Sequence, residues 1–126
     1  MRLGDSFLLR DANINDHLQV VITDPEKHPT AVILVSITTY HEMKEDVCIF
    51  NANEHSWIKH KSCVSYSHAK KTTLNVLSEW RSQGKFEMFE PFEMILLQRI
   101  WRGAPESITF NMGLADILDE QGLIDL

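Results

Sequence analysis

The segment that most constrains the fold is the uncharged run at residues 31–39. Four of its first seven residues are β-branched aliphatics. With His28-Pro29 before it and charged residues after it, this run predicts a central strand buried on both faces. Its end carries the hydroxyls of Ser36, Thr38 and Thr39 at the point where an apolar strand reaches solvent. Such hydroxyls either bind a ligand or simply cap the strand.

The chain of 126 residues is long enough for one domain with a single core. No apolar run of about 20 residues and no basic-then-apolar leader pattern occurs, so we expect a cytoplasmic protein with no membrane partner. Cys48 and Cys63 lie in apparent strands without a CxxC partner, which predicts buried, reduced thiols. The six histidines form no HxH or HxxxH pair, so we expect no metal and no other cofactor.

The net charge of −6 is unevenly distributed. Residues 1–85 hold ten acidic and ten basic side chains, whereas residues 86–126 hold eight acidic side chains against Arg99 and Arg102. An acidic C-terminal third argues against a protein that coats nucleic acid generally. Residues 55–78 contain no Asp or Glu, however, and therefore predict one local basic face.

Hydrophobic periodicity divides the chain into a β-rich part and a helical part. Alternating or continuous apolar runs predict five short strands, at residues 3–9, 17–24, 31–39, 46–51 and 62–69. In the second of them, Leu18, Val20 and Ile22 share one face. Five short, closely spaced strands predict a small, strongly bent sheet or barrel. We therefore expect a single mainly β domain over residues 1–126, with the barrel at about 3–71 and helices at about 73–126.

Three helices are predicted after the strands. Thr73 is a candidate N-cap for the first helix, and Gly84 is its stop signal. Pro91 opens a second helix with an apolar stripe, which ends before Pro105, and a short third helix is expected within residues 108–121. The stripe either packs into the core or leaves apolar surface, including Trp101, for a homodimer interface.

Five blocks of the sequence occur in a familiar order. Gly4-Asp5 opens the first strand, residues 18–24 form an apolar strand that ends in Thr-Asp, and the central run ends in Thr-Thr. Residues 61–66, followed by residues 71–74, complete the series. In this order the blocks resemble those of the PemK/MazF/Kid toxin family, over about residues 3–80.

The resemblance implies an SH3-like small barrel of PemK/MazF type, usually a homodimer, that cleaves single-stranded RNA without a metal and is neutralised by an antitoxin-like peptide. Two positions match the family's catalytic pair. The family's Arg slot is occupied here by His17, and the family's Thr or Ser at the end of the central strand corresponds to Thr38 or Thr39. The long basic loop that usually precedes the Arg is reduced to residues 11–16. The resemblance therefore predicts His17, Thr38 and Thr39 as catalytic residues of an mRNA interferase that lacks the usual Arg.

Metal-free cleavage at the 2′-hydroxyl requires a base, an acid and a positive charge. Histidine transfers protons well but is cationic only part of the time near neutral pH, whereas Arg is always charged. A fixed cation would then come from Arg10, Lys59 or Lys61. The alternative for His17 is that it merely begins a strand.

Other residues of the basic stretch are candidates for contact with RNA or a partner. His60 and Ser62 share a strand face, where together they could hold a phosphate. Trp57 lies among cations, as a base-stacking residue does, or else it plugs the end of the barrel. The predicted RNA- or partner-binding residues are Arg10, Trp57, Lys59, His60, Lys61 and Ser62.

Two functions follow from this reading. The first is a PemK/MazF-like, metal-independent endoribonuclease acting on single-stranded RNA. The alternative is a catalytically inactive small-barrel module that binds a peptide or RNA partner. A domain of unrelated role, whose strand order matches by chance, is a third possibility, because fold-level likeness does not establish function.

Overall fold

The computed structural model describes residues 1–10 and 17–126. They form a six-stranded antiparallel sheet and three α-helices, which confirms the mainly β class with C-terminal helices. The strands are β1 (Ser6–Leu9), β2 (Leu18–Val21), β3 (Val32–Thr39), β4 (Ile49–Phe50), β5 (Ser62–Thr72) and β6 (Phe86–Phe89). The helices are α1 (Leu74–Ser82), α2 (Met94–Gly103) and α3 (Met112–Glu120), with a 3-10 turn at Ala104–Glu106.

The sheet is open, with strand order β4-β5-β3-β2-β1-β6, so the expectation of a closed barrel is wrong. Closure would require its edge strands to pair, and within residues 1–10 and 17–126 no pairing joins β4 to β6. β4 is only two residues long and pairs only with Ser62 and Cys63. The opposite edge is β6, which pairs with β1 although it lies in the part predicted to be helical.

The first face of the sheet carries the larger core. The predicted face of Leu18, Val20 and Ile22 is confirmed, because all three are buried there with the odd-numbered apolar residues of β3. The apolar stripe of α2 also belongs to this core, which supports the packing interpretation of that helix. Trp101 packs against the core and donates its indole N–H to the Ile22 carbonyl at 2.8 Å.

The second face is covered over only part of its length. Val21 and Leu34, which are opposite one another in β2 and β3, pack with Leu77 of α1 in a smaller core. β3 is therefore buried on both faces, as predicted. Further along, the same face turns polar, because the next pair of residues on this face is Gln19 and Ser36.

The ends of α1 agree with the sequence signals. Thr73 is its N-cap, with its hydroxyl accepting from the Val76 N–H at 3.2 Å. Gly84 lies just beyond the helix with φ +71°, a conformation that favours glycine. The α-helices have nine, ten and nine residues, and none in the described ranges is long and apolar enough to cross a membrane.

An irregularity in β5 changes the direction of its side chains. Leu34 is opposite Lys70, but Ser36, only two residues further along β3, is opposite Ser65. β5 therefore uses five residues where β3 uses two, and such bulges bend a strand and redirect its side chains. The strand also continues to Thr72, three residues beyond its predicted end.

Candidate functional site

A pocket of about 150 Å³ lies on the polar part of the second sheet face. It is lined by residues of β2, β3 and β5, by His17 just before β2, and by one residue of the β3–β4 loop. These residues are His17, Gln19, Ser36, Thr38, Lys44, Ser65, His68 and Lys70. The structure thus brings together His17 and Thr38, two of the three residues predicted to be catalytic.

The floor of the pocket is a buried polar cluster. Gln19, Ser36 and Thr38 are only 6–7% exposed. The Gln19 side-chain amide donates to Ser36 Oγ at 2.9 Å and to the His17 carbonyl at 3.4 Å. Its Oε1 atom, however, is buried without a hydrogen-bond partner among the described residues. Leaving such an atom unpaired costs roughly 1–3 kcal/mol.

His68 forms part of the pocket wall. Its Nδ1 atom lies 2.7 Å from Ser65 Oγ and 3.3 Å from Ser67 Oγ. These contacts orient the imidazole and leave Nε2 as the ring atom able to exchange a proton with a ligand. His68 is exposed, so its ring is accessible from solvent.

The electrostatic character of the pocket is cationic. Lys44 and Lys70 line it with the two histidines, and none of the described residues that line it is Asp or Glu. Lys44 is partly buried and Lys70 is exposed. Ammonium groups, imidazoles and hydroxyls without a carboxylate form a suitable environment for an anion such as a phosphate.

Thr39, the third predicted catalytic residue, does not line this pocket. It follows Thr38 directly, and successive strand side chains point to opposite faces. Its hydroxyl lies 2.8 Å from His60 Nε2, and the His60 carbonyl accepts from the Ser62 hydroxyl at 2.9 Å. Thr39, His60 and Ser62 thus form a separate cluster. The neighbouring Lys61 places its ammonium group 4.7 Å from the centroid of the Tyr40 ring.

The other predicted binding residues also lie outside the pocket. Arg10 pairs with Glu87 at 3.5 Å, at the β1–β6 side of the sheet. Lys59 is exposed, and Trp57 is partly buried against the larger core, in agreement with its alternative role as an apolar plug. The cations at the pocket are therefore Lys44 and Lys70 rather than Arg10, Lys59 or Lys61.

Sequence reasoning missed five residues of the pocket, which are Gln19, Lys44, Ser65, His68 and Lys70. Gln19 had a local signal, since it is a polar residue inside an apolar strand. His68 and Lys70 were part of the recognised basic stretch, but their direction depends on the bulge in β5. Lys44 lies in a loop whose path has no sequence signature.

His55 is a buried structural residue of the loop before β5. It is 3% exposed, stacks on Phe92 with centroids 4.5 Å apart, and its Nε2 lies 2.8 Å from the Glu90 carbonyl. Its Nδ1 atom accepts from the Trp57 N–H at 3.1 Å, so Nε2 carries the proton that is donated to Glu90. His55 therefore joins this loop to the segment before α2.

Both cysteines are free and buried, as predicted. Burial raises the pKa of the Cys48 thiol to about 11, and burial also raises the pKa of Cys63. Over residues 1–10 and 17–126, no group of three or more His, Cys, Asp or Glu side chains could hold a metal ion.

Comparisons of the chain with protein-family models, with curated proteins and with solved structures found no match. The functional argument therefore depends on the chemistry of the pocket, for which the resemblance to the PemK/MazF/Kid toxins supplies a hypothesis.

Proposed function

We propose that this protein is a metal-independent endoribonuclease that binds the scissile phosphate of single-stranded RNA in the pocket between β2, β3 and β5. The observation that carries the proposal is the set of side chains in that pocket. Two imidazoles, two ammonium groups and several hydroxyls line one cavity without a carboxylate among the described residues. Proton transfer and charge stabilisation, the two requirements of the reaction, are then available in one place.

The size of the pocket favours one phosphate group rather than a whole nucleotide. Its volume of about 150 Å³ is below the roughly 300–1,000 Å³ typical of small-molecule sites. The flanking nucleosides would then lie outside it. A polymeric substrate that presents a phosphate at the surface suits this geometry better than a buried metabolite.

In the proposed reaction, the 2′-oxygen attacks the adjacent phosphorus. One of His17 and His68 accepts the 2′-hydroxyl proton, and the other donates a proton to the departing 5′-oxygen. The 2′-O–P bond forms as the P–O5′ bond breaks, which leaves a 2′,3′-cyclic phosphate and a 5′-hydroxyl. No oxidant, reductant or metal is required. Positioned proton transfer of this kind typically contributes 10²–10⁴-fold to the rate.

Lys44 and Lys70 are proposed to stabilise the negative charge that develops on the phosphorane. In this role they replace the Arg that the related toxins are expected to use. Each ammonium group acts as a point charge, whereas an Arg guanidinium would also donate two parallel hydrogen bonds to the phosphate. The hydroxyls of Ser36 and Thr38, which line the pocket, would donate to the non-bridging oxygens.

We further propose that the chain is a divergent PemK/MazF/Kid-like toxin whose open sheet is a variant of the SH3-like barrel. The order of the sequence blocks supports this proposal, which carries with it a cytoplasmic location, a homodimer and inhibition by an antitoxin-like peptide. Growth arrest on induced expression tests the toxin role, and light scattering of the purified protein tests the homodimer.

The cleavage assay uses purified protein and a mixed-sequence single-stranded RNA in EDTA. We expect cleavage that yields 2′,3′-cyclic phosphate ends and that falls at least about 100-fold in both His17→Ala and His68→Ala. His28→Ala is the matched control, because His28 does not line the pocket, and it should cleave at the wild-type rate. A substrate with a single ribonucleotide within DNA should be cut only at that ribonucleotide.

Two outcomes would overturn the proposal. Cleavage that persists in both histidine variants would place the chemistry elsewhere. RNA binding without cleavage by folded wild-type protein would instead favour the alternative, a catalytically inactive module that binds an RNA or peptide partner.

A further inference from the structure

We infer that a second cavity, next to the phosphate pocket, binds the nucleoside whose 3′-oxygen carries the scissile phosphate. This cavity has a volume of about 260 Å³ and shares Lys44, Ser65 and His68 with the phosphate pocket. A ligand that fills one cavity therefore reaches the wall of the other. The inference rests on the proposed function, because that function identifies the ligand of the first pocket as the scissile phosphate of RNA. Its test measures binding and does not require cleavage.

The walls of the second cavity differ in charge from those of the phosphate pocket. Glu45 is part of its lining and is held by three donors. They are the Ser107 hydroxyl at 2.6 Å, the Thr109 hydroxyl at 3.1 Å and the Ile108 N–H at 3.1 Å. A fixed carboxylate repels a phosphate and attracts hydrogen-bond donors. With Glu45 beside the shared Lys44 and His68, the second cavity is less cationic than the phosphate pocket and suits the uncharged part of a nucleotide better.

The shape of the second cavity follows from the short β4 strand. β4 pairs only with Ser62 and Cys63, so no described strand covers the outer edge of β5 beyond them. Val64 and Tyr66 line this part of the cavity, but both are only 1% exposed and belong to the larger core, so the apolar surface that a ligand can reach is that of Met43. An apolar surface bordered by polar groups is what a flat, aromatic nucleobase requires.

Met43 forms part of the rim of this cavity. It is 89% exposed, although it is a large apolar residue. A thioether side chain is flexible and polarizable, and it makes favourable contacts with aromatic rings. The Ser67 hydroxyl and the Thr109 hydroxyl, which already donates its proton to Glu45, can each accept a hydrogen bond from the edge of the base.

The test compares inorganic phosphate with the four nucleoside 3′-monophosphates by isothermal titration calorimetry at constant ionic strength. We expect at least one nucleotide to bind at least about tenfold more tightly than phosphate, a difference of about 1.4 kcal/mol. Met43→Ala should remove at least half of the fold-difference and leave the affinity for phosphate unchanged. Met94→Ala, at an exposed methionine of α2 that lines neither cavity, is the matched control and should bind as wild type.

Lys70→Ala separates the two cavities, because Lys70 lines only the phosphate pocket. It should weaken the binding of phosphate and of nucleotides by the same factor. The inference is overturned if all four nucleotides bind no more tightly than phosphate, or if Met43→Ala weakens phosphate and nucleotides equally. If nucleotides bind as expected but RNA is not cleaved, the endoribonuclease proposal fails and the nucleoside site stands.

Discussion

Replacing Gly103 by Ala should destabilise the protein, although alanine is the better helix former. Gly103 is the last residue of α2, and its φ of −73° is accessible to any residue. The obstacle is steric, because an added Cβ would lie 2.3 Å from the Tyr66 hydroxyl oxygen and 3.0 Å from Val47 Cγ1. Tyr66 is 1% exposed, and its hydroxyl donates to the Ile100 carbonyl at 2.7 Å.

The magnitude follows from three contributions. Moving the Tyr66 hydroxyl by roughly 1 Å to an ordinary contact distance would break its hydrogen bond, at a cost of about 1 kcal/mol. Overpacking a filled core costs about 1–3 kcal/mol. The higher helix propensity of alanine returns up to about 1 kcal/mol. We therefore expect Gly103→Ala to lower the free energy of unfolding by about 2 kcal/mol.

Urea denaturation of four proteins measures this cost. They are wild type, Gly103→Ala, Tyr66→Phe and the double variant. Removing the tyrosine oxygen leaves its Cζ atom, at 3.2 Å, as the nearest ring contact of the new methyl group. The alanine should therefore cost less in the Tyr66→Phe background, with a coupling energy of at least about 0.5 kcal/mol. A Gly103→Ala protein as stable as wild type, or additive effects in the double variant, would refute the reasoning.

Three further predictions concern the loop before β5 and the thiols. The hydrogen bond from Arg99 lowers the pKa of Glu54 below its ordinary 4.5, so its stabilisation is present above that pH and is lost as the pH falls through the lowered pKa. Glu54→Gln should therefore lower the free energy of urea unfolding by up to about 1 kcal/mol at pH 7, and this loss should shrink as the pH falls below 4.5; a loss that does not change with pH would contradict this. His55→Ala should cost about 2–4 kcal/mol in thermal unfolding, because it removes a buried, stacked and doubly hydrogen-bonded ring; a loss below about 1 kcal/mol would be inconsistent with that network. With its thiol pKa near 11, Cys48 should react with a disulfide reagent at pH 8 only after unfolding, and Cys63 should be slow in the native protein; rapid native labelling of Cys48 would contradict its burial.

The parts of the fold that sequence predicts are those with local causes. β3 could be predicted because a run of β-branched residues suits a strand buried on both faces. The start of α1 could be predicted because Thr73 satisfies a backbone N–H that the helix leaves unpaired. In both cases the sequence pattern that predicts the element lies within the residues that form it.

The parts that sequence did not predict depend on distant pairing. β6 has the weak pattern Phe-Glu-Met-Phe, which does not alternate strictly, and it becomes a strand because β1 offers it an edge. Whether a sheet closes also depends on its edge strands, and the two residues of β4 give no indication of that outcome.

The residues of the candidate site also fall into those with a local sequence signal and those whose position depends on distant pairing. His17 and Thr38 were found because the resemblance to a toxin family marks the ends of β2 and β3. Lys44 and Lys70 were not found, because a loop and a bulge determine their positions. A straight strand would also have placed His68 far from this pocket. Side-chain direction after an irregularity is a property of the pairing, not of the local sequence.

The short β4 strand has a consequence for solubility. An uncovered strand edge is a template on which another chain can add a strand, and proteins protect such edges with bulges and with lysines. β5 has both, because its bulge precedes Lys70 and Lys71 on the length that β4 leaves uncovered. We therefore expect Lys70 to guard this edge against self-association. A variant in which both lysines are replaced by β-branched residues would present a flat, neutral edge to its neighbours, and aggregation would compete with folding.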